Sequence, residues 1–169
     1  MTIRFDRVQS SEQVTQVYDL AVSIWNEHYT SLIGEAQVAY MLNSFHSLAT
    51  ISEEVETASA YYFLIINDNS PIGYISVKPE DSSLFLSKLY VLSTFRGKGV
   101  GRKAIQFIKD IAAEFKKDKI TLTVYRHNSQ SISAYQAIGF NISGEICADI
   151  GHGYLMNDYK MEMILQSGH

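Results

Sequence analysis

The sequence predicts a mixed α/β (α+β) domain built on a central mixed, mostly antiparallel sheet of six to seven strands with about four helices. Three observations predict it. Apolar residues recur at helical spacing in two stretches near the N-terminus and in a long one after residue 99. Between and beyond these stretches, aromatic and β-branched runs are separated by turn-forming clusters. A glycine-rich basic turn joins one such apolar run directly to the most regular helix.

Taken in order, Ile3 to Val8 reads as an opening strand, and Ser10-Ser11-Glu12-Gln13 offers polar caps for a helix. Val14, Val17, Tyr18, Ala21, Ile24 and Trp25 then lie three and four residues apart, which puts them on one helix face as far as about His28. Gly34 punctuates the chain, Val38, Met41, Leu42 and Phe45 mark a second helix, and Ile51 to Thr57 adds a short acidic helical turn. Tyr61 to Ile66 and Ile72 to Val77 form a hairpin about Asn67-Asp68-Asn69-Ser70, whose residues favour tight turns. Pro79-Glu80-Asp81-Ser82 turns the chain into the strand Leu84 to Val91.

From Gly99 the period changes. Val100, Ala104, Phe107, Ile108, Ile111 and Phe115 form a stripe, with Arg102, Lys103, Gln106, Lys109 and Asp110 facing away. Ile120 to Tyr125 alternates as a strand, Ser129 to Ile138 is a short helix stopped by Gly139, and Phe140 to Ile150 is again a strand. Gly151-His152-Gly153 makes the last turn before Tyr154 to Leu165 closes the sheet.

With 169 residues and 46% hydrophobic content, the chain can bury about 70% of its unfolded surface in one core. Two prolines and the lack of any low-complexity tract or internal repeat leave no linker, so one domain over residues 1–169 is expected. Met1 to Arg7 lacks the apolar core of a signal peptide, and no apolar run approaches the roughly 20 residues of a membrane span. The expectation is a soluble cytoplasmic protein with no membrane partner. The single cysteine, Cys147, agrees with a reducing compartment and reads as a packing residue.

Net charge is −4, unevenly spread. Residues 1 to 60 carry eight acidic side chains against Arg4 and Arg7, whereas Arg96, Lys98, Arg102 and Lys103 crowd around the glycine turn with no acid among them. Anion binding is therefore local, and a sequence pI of about 5.7 argues against a nucleic-acid partner.

In Lys88-Leu89-Tyr90-Val91-Leu92-Ser93-Thr94-Phe95-Arg96-Gly97-Lys98-Gly99-Val100-Gly101-Arg102 the glycines alternate, removing the Cβ atoms that would hold a ligand off the backbone. The helix that follows presents unpaired N–H groups and the positive end of its dipole, which suits a phosphate. The spacing is neither that of a dinucleotide fingerprint nor that of a P-loop, and no acid lies about twenty residues on to read a ribose.

Arg96-x-x-Gly99-x-Gly101 after a strand, followed downstream by Asn128-x-x-Ser131-x-x-Ala134-Tyr135 and Gly139-Phe140, resembles the acyl-CoA-binding half of the GNAT superfamily of N-acetyltransferases. The resemblance is specific over about Leu84 to Phe140. It implies the GNAT fold and acetyl-CoA as acyl donor, with the pyrophosphate against the backbone of Arg96, Gly97, Lys98, Gly99, Val100, Gly101 and Arg102. It implies too that the pantetheine arm lies along Leu89, Tyr90 and Val91, that Asn128 and Ser131 attend the same cofactor, and that the Leu89 N–H stabilises the thioester oxygen. Tyr135 matches the family's general acid toward the departing thiolate. A tyrosine near 10 and a thiol near 8.5 differ by about 1.5 pKa units, or roughly 2 kcal/mol for full transfer. Packing of a short helix on the sheet is the alternative role for Tyr135.

The base is not named by this pattern, because the position where some members carry a glutamate is Phe85 here and no carboxylate occurs from Ser82 through Phe95. Trp25, Glu27, His28 and Tyr29 at the end of the first long helix are the acceptor-side candidates, together with Tyr40 and the stretch Asp149 to Asp158. Aromatic rings beside acids suit a cation, which points to a small cationic amine such as a polyamine. A protein or peptide N-acetyltransferase and a catalytically silent acyl-CoA-binding domain are the alternatives. His127 and His152 have no partner at metal-ligand spacing, so no metal is expected. A homodimer is the expected assembly.

Overall fold

The computed structural model describes residues 1–165, so the last four residues of the expected 1–169 domain lie outside it. Seven strands, β1 (Ile3–Arg7), β2 (Tyr61–Asn67), β3 (Ser70–Pro79), β4 (Ser83–Val91), β5 (Lys119–Tyr125), β6 (Asn141–Gly151) and β7 (Tyr154–Ile164), follow the order β1-β2-β3-β4-β5-β7-β6. The helices are α1 (Ser11–His28), α2 (Thr30–Ile33), α3 (Glu35–Phe45), α4 (Leu48–Thr57), α5 (Val100–Glu114) and α6 (Ser129–Ile138). The mixed, mostly antiparallel sheet is as expected. The helices are more numerous than expected, because α2 and a 3-10 turn at Ser93–Phe95 are too short to show a period.

The chain divides into two compact units, residues 1–78 with 88–107, and residues 79–87 with 108 onward. In the first, Ser10 caps α1 with a reciprocal capping box to Gln13. The apolar face of α1 sinks Val14, Val17, Ala21, Ile24 and Trp25 into a core with Val38, Ile51, Leu64 and Tyr74. Gly34, at φ 88, separates α2 from α3. Antiparallel β1, β2 and β3 run in register from Ile3↔Asn67 and from Tyr61↔Val77, and Asp68 and Asn69 turn the hairpin at φ 48 and 72. Phe107, half-buried in the α5 stripe, stacks on Phe5 and meets Phe63 edge-on.

In the second unit, parallel pairing of β4 with β5 covers Ser83↔Lys119 to Phe85↔Thr121. β5 pairs antiparallel with β7 and β7 with β6, so β6 is the outermost strand. Ile120, Leu122, Phe140, Met161 and Met163 are buried. Gly139, at φ 125, ends α6 and turns the chain into β6.

Candidate functional site

The predicted phosphate turn begins where β4 leaves the sheet. The Leu92 N–H donates to Ile72 O at 2.8 Å, and a Cβ added to Gly73 would sit 2.3 Å from Tyr90 O. Tyr90 and Leu92 thus present their backbone groups to β3, and strand alternation turns those of Leu89 and Val91 the other way. The parallel ladder along β4 covers Ser83 to Phe85 among the described residues, which leaves Leu89 and Val91 beyond it.

Gly97 and Gly99 adopt left-handed φ values of 74 and 81, which only glycine takes without strain, while Gly101 is helical. A Cβ at Gly97, Gly99 or Gly101 would meet nothing within 4 Å, so one side of the turn is open along three alternating residues. Lys103 N donates to Gly99 O at 3.2 Å. The N–H groups of Val100, Gly101 and Arg102 precede it and have no partner along the helix. Val100 is buried and anchors the helix start. Lys98 and Arg102 are exposed, the Lys98 ammonium lying 5.6 Å from the Phe95 ring centre. Backbone donors, helix dipole and flanking cations fit a diphosphate, and residues Gly97 to Arg102 would hold that part of acetyl-CoA; the Arg96 N–H, expected to join them, donates instead to Ser93 O at 3.2 Å.

Arg96 itself turns inward. Its Nε donates to Val91 O and its Nη1 to His28 Nδ1, both at 3.3 Å. The Ser93 hydroxyl donates to a Glu27 carboxylate oxygen. The end of α1 therefore holds both flanks of the 3-10 turn. Of the four acceptor-side candidates, Glu27 and His28 are placed on this connection, and Trp25 and Tyr29 are buried at 3% and 8% exposure. Trp25 stacks on Tyr29 at 4.2 Å and packs against His46 at 4.7 Å. Tyr90 reaches the same cluster, 5.7 Å from Trp25 and 5.4 Å from Tyr74.

In the second unit, Asn128 is 3% exposed and forms the N-cap of α6, its Oδ1 accepting from the Ser131 N–H at 3.4 Å. The spacing that carried the resemblance is, in its local chemistry, a helix cap. The Tyr135 ring meets Phe140 edge-on at 5.5 Å, and its carbonyl accepts from the N–H groups of Gly139 and Phe140. Packing is thus one role this side chain fills.

Sequence reasoning assigned no role to Lys88, and it reached Asp158 only as one end of the acceptor-side stretch Asp149 to Asp158. Lys88, the one cation in an apolar strand, is buried; its ammonium donates to Tyr62 Oη at 2.6 Å and Phe45 O at 3.1 Å and lies 3.9 Å from Glu54. Burial lowers its pKa to about 8 against the pull of Glu54. Neighbouring His46 is held well below the ordinary histidine value by burial, with Lys88 adding to the effect. Asp158 is half-buried on β7 and its pKa is raised by burial, opposed by a hydrogen bond from Thr123. Its place in the acceptor-side stretch Asp149 to Asp158 was the signal for it, and its burial had none.

Among the described residues no group of three or more metal-ligating side chains converges, and no helix is long and apolar enough to cross a membrane.

Comparison with known proteins agrees with this geometry. The model of the acetyltransferase (GNAT) family matches residues 14–140. A spermine/spermidine N(1)-acetyltransferase of Bacillus subtilis is 28% identical over 68 residues, 40% of this chain and 45% of the relative, so the match spans less than half of that protein. An L-amino acid N-acyltransferase of Escherichia coli is 24% identical over 156 residues, 86% of this chain and 83% of the relative. Among solved structures, the PaiA N-acetyltransferase of Thermoplasma acidophilum in complex with coenzyme A is similar with a TM-score of 0.80 at 20% identity, covering 97% of this chain and 99% of that one. Ard1 of Thermoplasma volcanium reaches 0.74 at 19% identity, covering 99% and 100%. At these identities the structures share the fold.

Proposed function

This chain belongs to the GNAT family of acetyltransferases, and on that footing we propose that it is an acetyl-CoA-dependent N-acetyltransferase. It moves an acetyl group to a primary amine by direct attack in a ternary complex. The observation that carries the proposal is the open-sided turn, in which the Cβ-free faces of Gly97, Gly99 and Gly101 meet the unpaired start of α5.

Bound acetyl-CoA supplies a thioester, an acyl group already attached to a good leaving thiolate. Backbone N–H groups from Gly97 to Arg102 would hold its diphosphate, that of Arg96 being bonded to Ser93 O, with Lys98 and Arg102 adding charge. Leu89 and Val91 offer a strand edge to the pantetheine arm, the backbone of Tyr90 between them facing β3, and the Leu89 N–H stabilises charge developing on the acetyl oxygen. Asn128 keeps the start of α6 in place beside Ser131, and Tyr135 gives its phenolic proton to the departing sulfur.

The acceptor is a small cationic amine such as a polyamine. Support comes from the acidic first third of the chain, which concentrates cations, and from the likeness to a spermine/spermidine acetyltransferase. Residues 1–169 act as one domain. A cytoplasmic setting accords with the exposed free thiol of Cys147. A homodimer belongs to the same reading, since β6 at the sheet edge exposes Ile142 and Ile146 at 43% and 40%.

The test is thiol release from acetyl-CoA with polyamines, amino acids and basic peptides. Turnover confined to non-cationic acceptors contradicts the acceptor assignment. Turnover confined to peptides favours a protein acetyltransferase.

A further inference from the structure

Asp158 is a carboxylate that the reaction outlined above leaves unused. It stands directly opposite Tyr125, the last residue of β5, and opposite Ile146 on the other side. It belongs to the same compact unit as Asn128 and Tyr135. Oδ1 is closed off from solvent and has no hydrogen-bond partner among the described residues, while the Thr123 side chain bonds the carboxyl group. An acceptor oxygen removed from water without a donor is unfavourable. A donor brought by a ligand removes that penalty.

The neighbouring charges do not supply it. Arg126 is engaged by Glu145 and lies 5.1 Å from the Tyr159 ring centre. Lys119 pairs with Glu162 at 3.9 Å. Lys160 shares the Asp158 face of β7 but is exposed. Tyr125 and Ile146 flank the carboxylate from the two adjacent strands.

We propose that Asp158 receives the acceptor amine, its unpaired oxygen binding the incoming ammonium and taking one proton from it. This rests on the acetyltransferase reading. The nitrogen lone pair freed by that transfer forms the new C–N bond to the acetyl carbon. The C–S bond breaks, its electron pair leaves on sulfur, and the thiolate takes its proton from Tyr135. The second proton on nitrogen is lost to solvent as the amide forms, and between turnovers Asp158 returns its proton to solvent and Tyr135 regains one from it. Burial, by raising the carboxyl pKa, narrows its gap to an alkylammonium near 10.4.

The experiment measures kcat and KM for whichever of spermidine, L-lysine and a basic peptide the intact protein turns over fastest, with CoA affinity followed by calorimetry. Asp158→Asn is expected to lower kcat/KM for the amine by roughly 100-fold or more and to leave CoA affinity unchanged. Asp158→Glu is expected to recover part of the loss. The acid limb of the wild-type profile, where activity falls as Asp158 is protonated, should lie above the ordinary carboxylate range and disappear in Asp158→Asn. Should that variant not fold, Thr123→Val reads the same contact, lowering kcat for the amine with CoA affinity intact. Wild-type kcat/KM in Asp158→Asn, or an unchanged Thr123→Val, overturns the assignment. A wild type that binds CoA and releases no thiol with any amine overturns the acetyltransferase reading, and this one with it.

Discussion

Arg96 donates to His28 Nδ1 at 3.3 Å and, through Nε, to the Val91 carbonyl at 3.3 Å. A guanidinium has no acceptor, so in this contact Arg96 is the donor and His28 Nδ1 the acceptor. The arginine that opens the phosphate turn is thereby turned toward α1 and the end of β4, and it acts by shaping the turn. Arg96→Ala is expected to raise KM for acetyl-CoA several-fold while kcat changes little. Arg96→Gln keeps one N–H for the Val91 carbonyl and should recover part of the loss, whereas Arg96→Lys should not, although it restores the charge. Steady-state kinetics with acetyl-CoA varied checks this; full rescue by lysine would mean that Arg96 binds phosphate by charge.

Gly101 separates the needs of the fold from those of the ligand. It is helical, and an added Cβ meets nothing within 4 Å, so Gly101→Ala should stabilise the protein by about 0.5–1 kcal/mol. The same methyl group occupies the side assigned to the diphosphate, and CoA affinity should fall tenfold or more. Denaturant unfolding and calorimetry on one variant should therefore move in opposite directions. Equal or tighter CoA binding would show that the ligand does not approach this face.

Lys88 makes stability rise with pH. Its pKa in the folded chain is about 8 against an ordinary 10.5, so between these values the unfolded chain holds more protons and stability increases as pH rises. The full gain is of order 3 kcal/mol, present above the unfolded value. Tyr62 donates to Glu54 at 2.7 Å, and burial, followed by that bond, pushes its phenol far up. A raised tyrosine loses stability once pH exceeds its unfolded value near 10, so the window that isolates Lys88 is pH 8 to 10. Urea midpoints should rise across that window in the wild type and stay flat in Lys88→Met. A flat wild-type profile would contradict a charged, buried Lys88.

The strands, the α5 stripe and the glycine turn were legible because each depends on a local pattern: alternation at Ile120 to Tyr125, helical spacing from Val100 to Ile111, and three Cβ-free positions in a row of alternating residues. The inward turn of Arg96 was not, because it depends on His28, 68 residues away in the chain. Trp25 and Tyr29 read equally well as pocket wall or core, and only tertiary packing places them against His46 and Tyr90. The burial of Lys88 and of Asp158 was hidden for the opposite reason. A charged residue in an alternating strand reads as solvent-facing, and its burial depends on partners such as Tyr62 on β2, two strands from Lys88, and Thr123 on β5, beside Asp158. Asn128 was read for its ligand, while its visible work is to cap α6.

Amine-dependent release of thiol from acetyl-CoA, with the acetylated amine identified by mass, decides between an N-acetyltransferase and a domain that only binds the cofactor. Thiol and N-acetylated product are expected in equal amounts, with a small cationic amine among the preferred acceptors. Measurable CoA binding with no amine-dependent release across polyamines, amino acids and basic peptides would contradict the acetyltransferase reading and identify the chain as a silent acyl-CoA-binding domain.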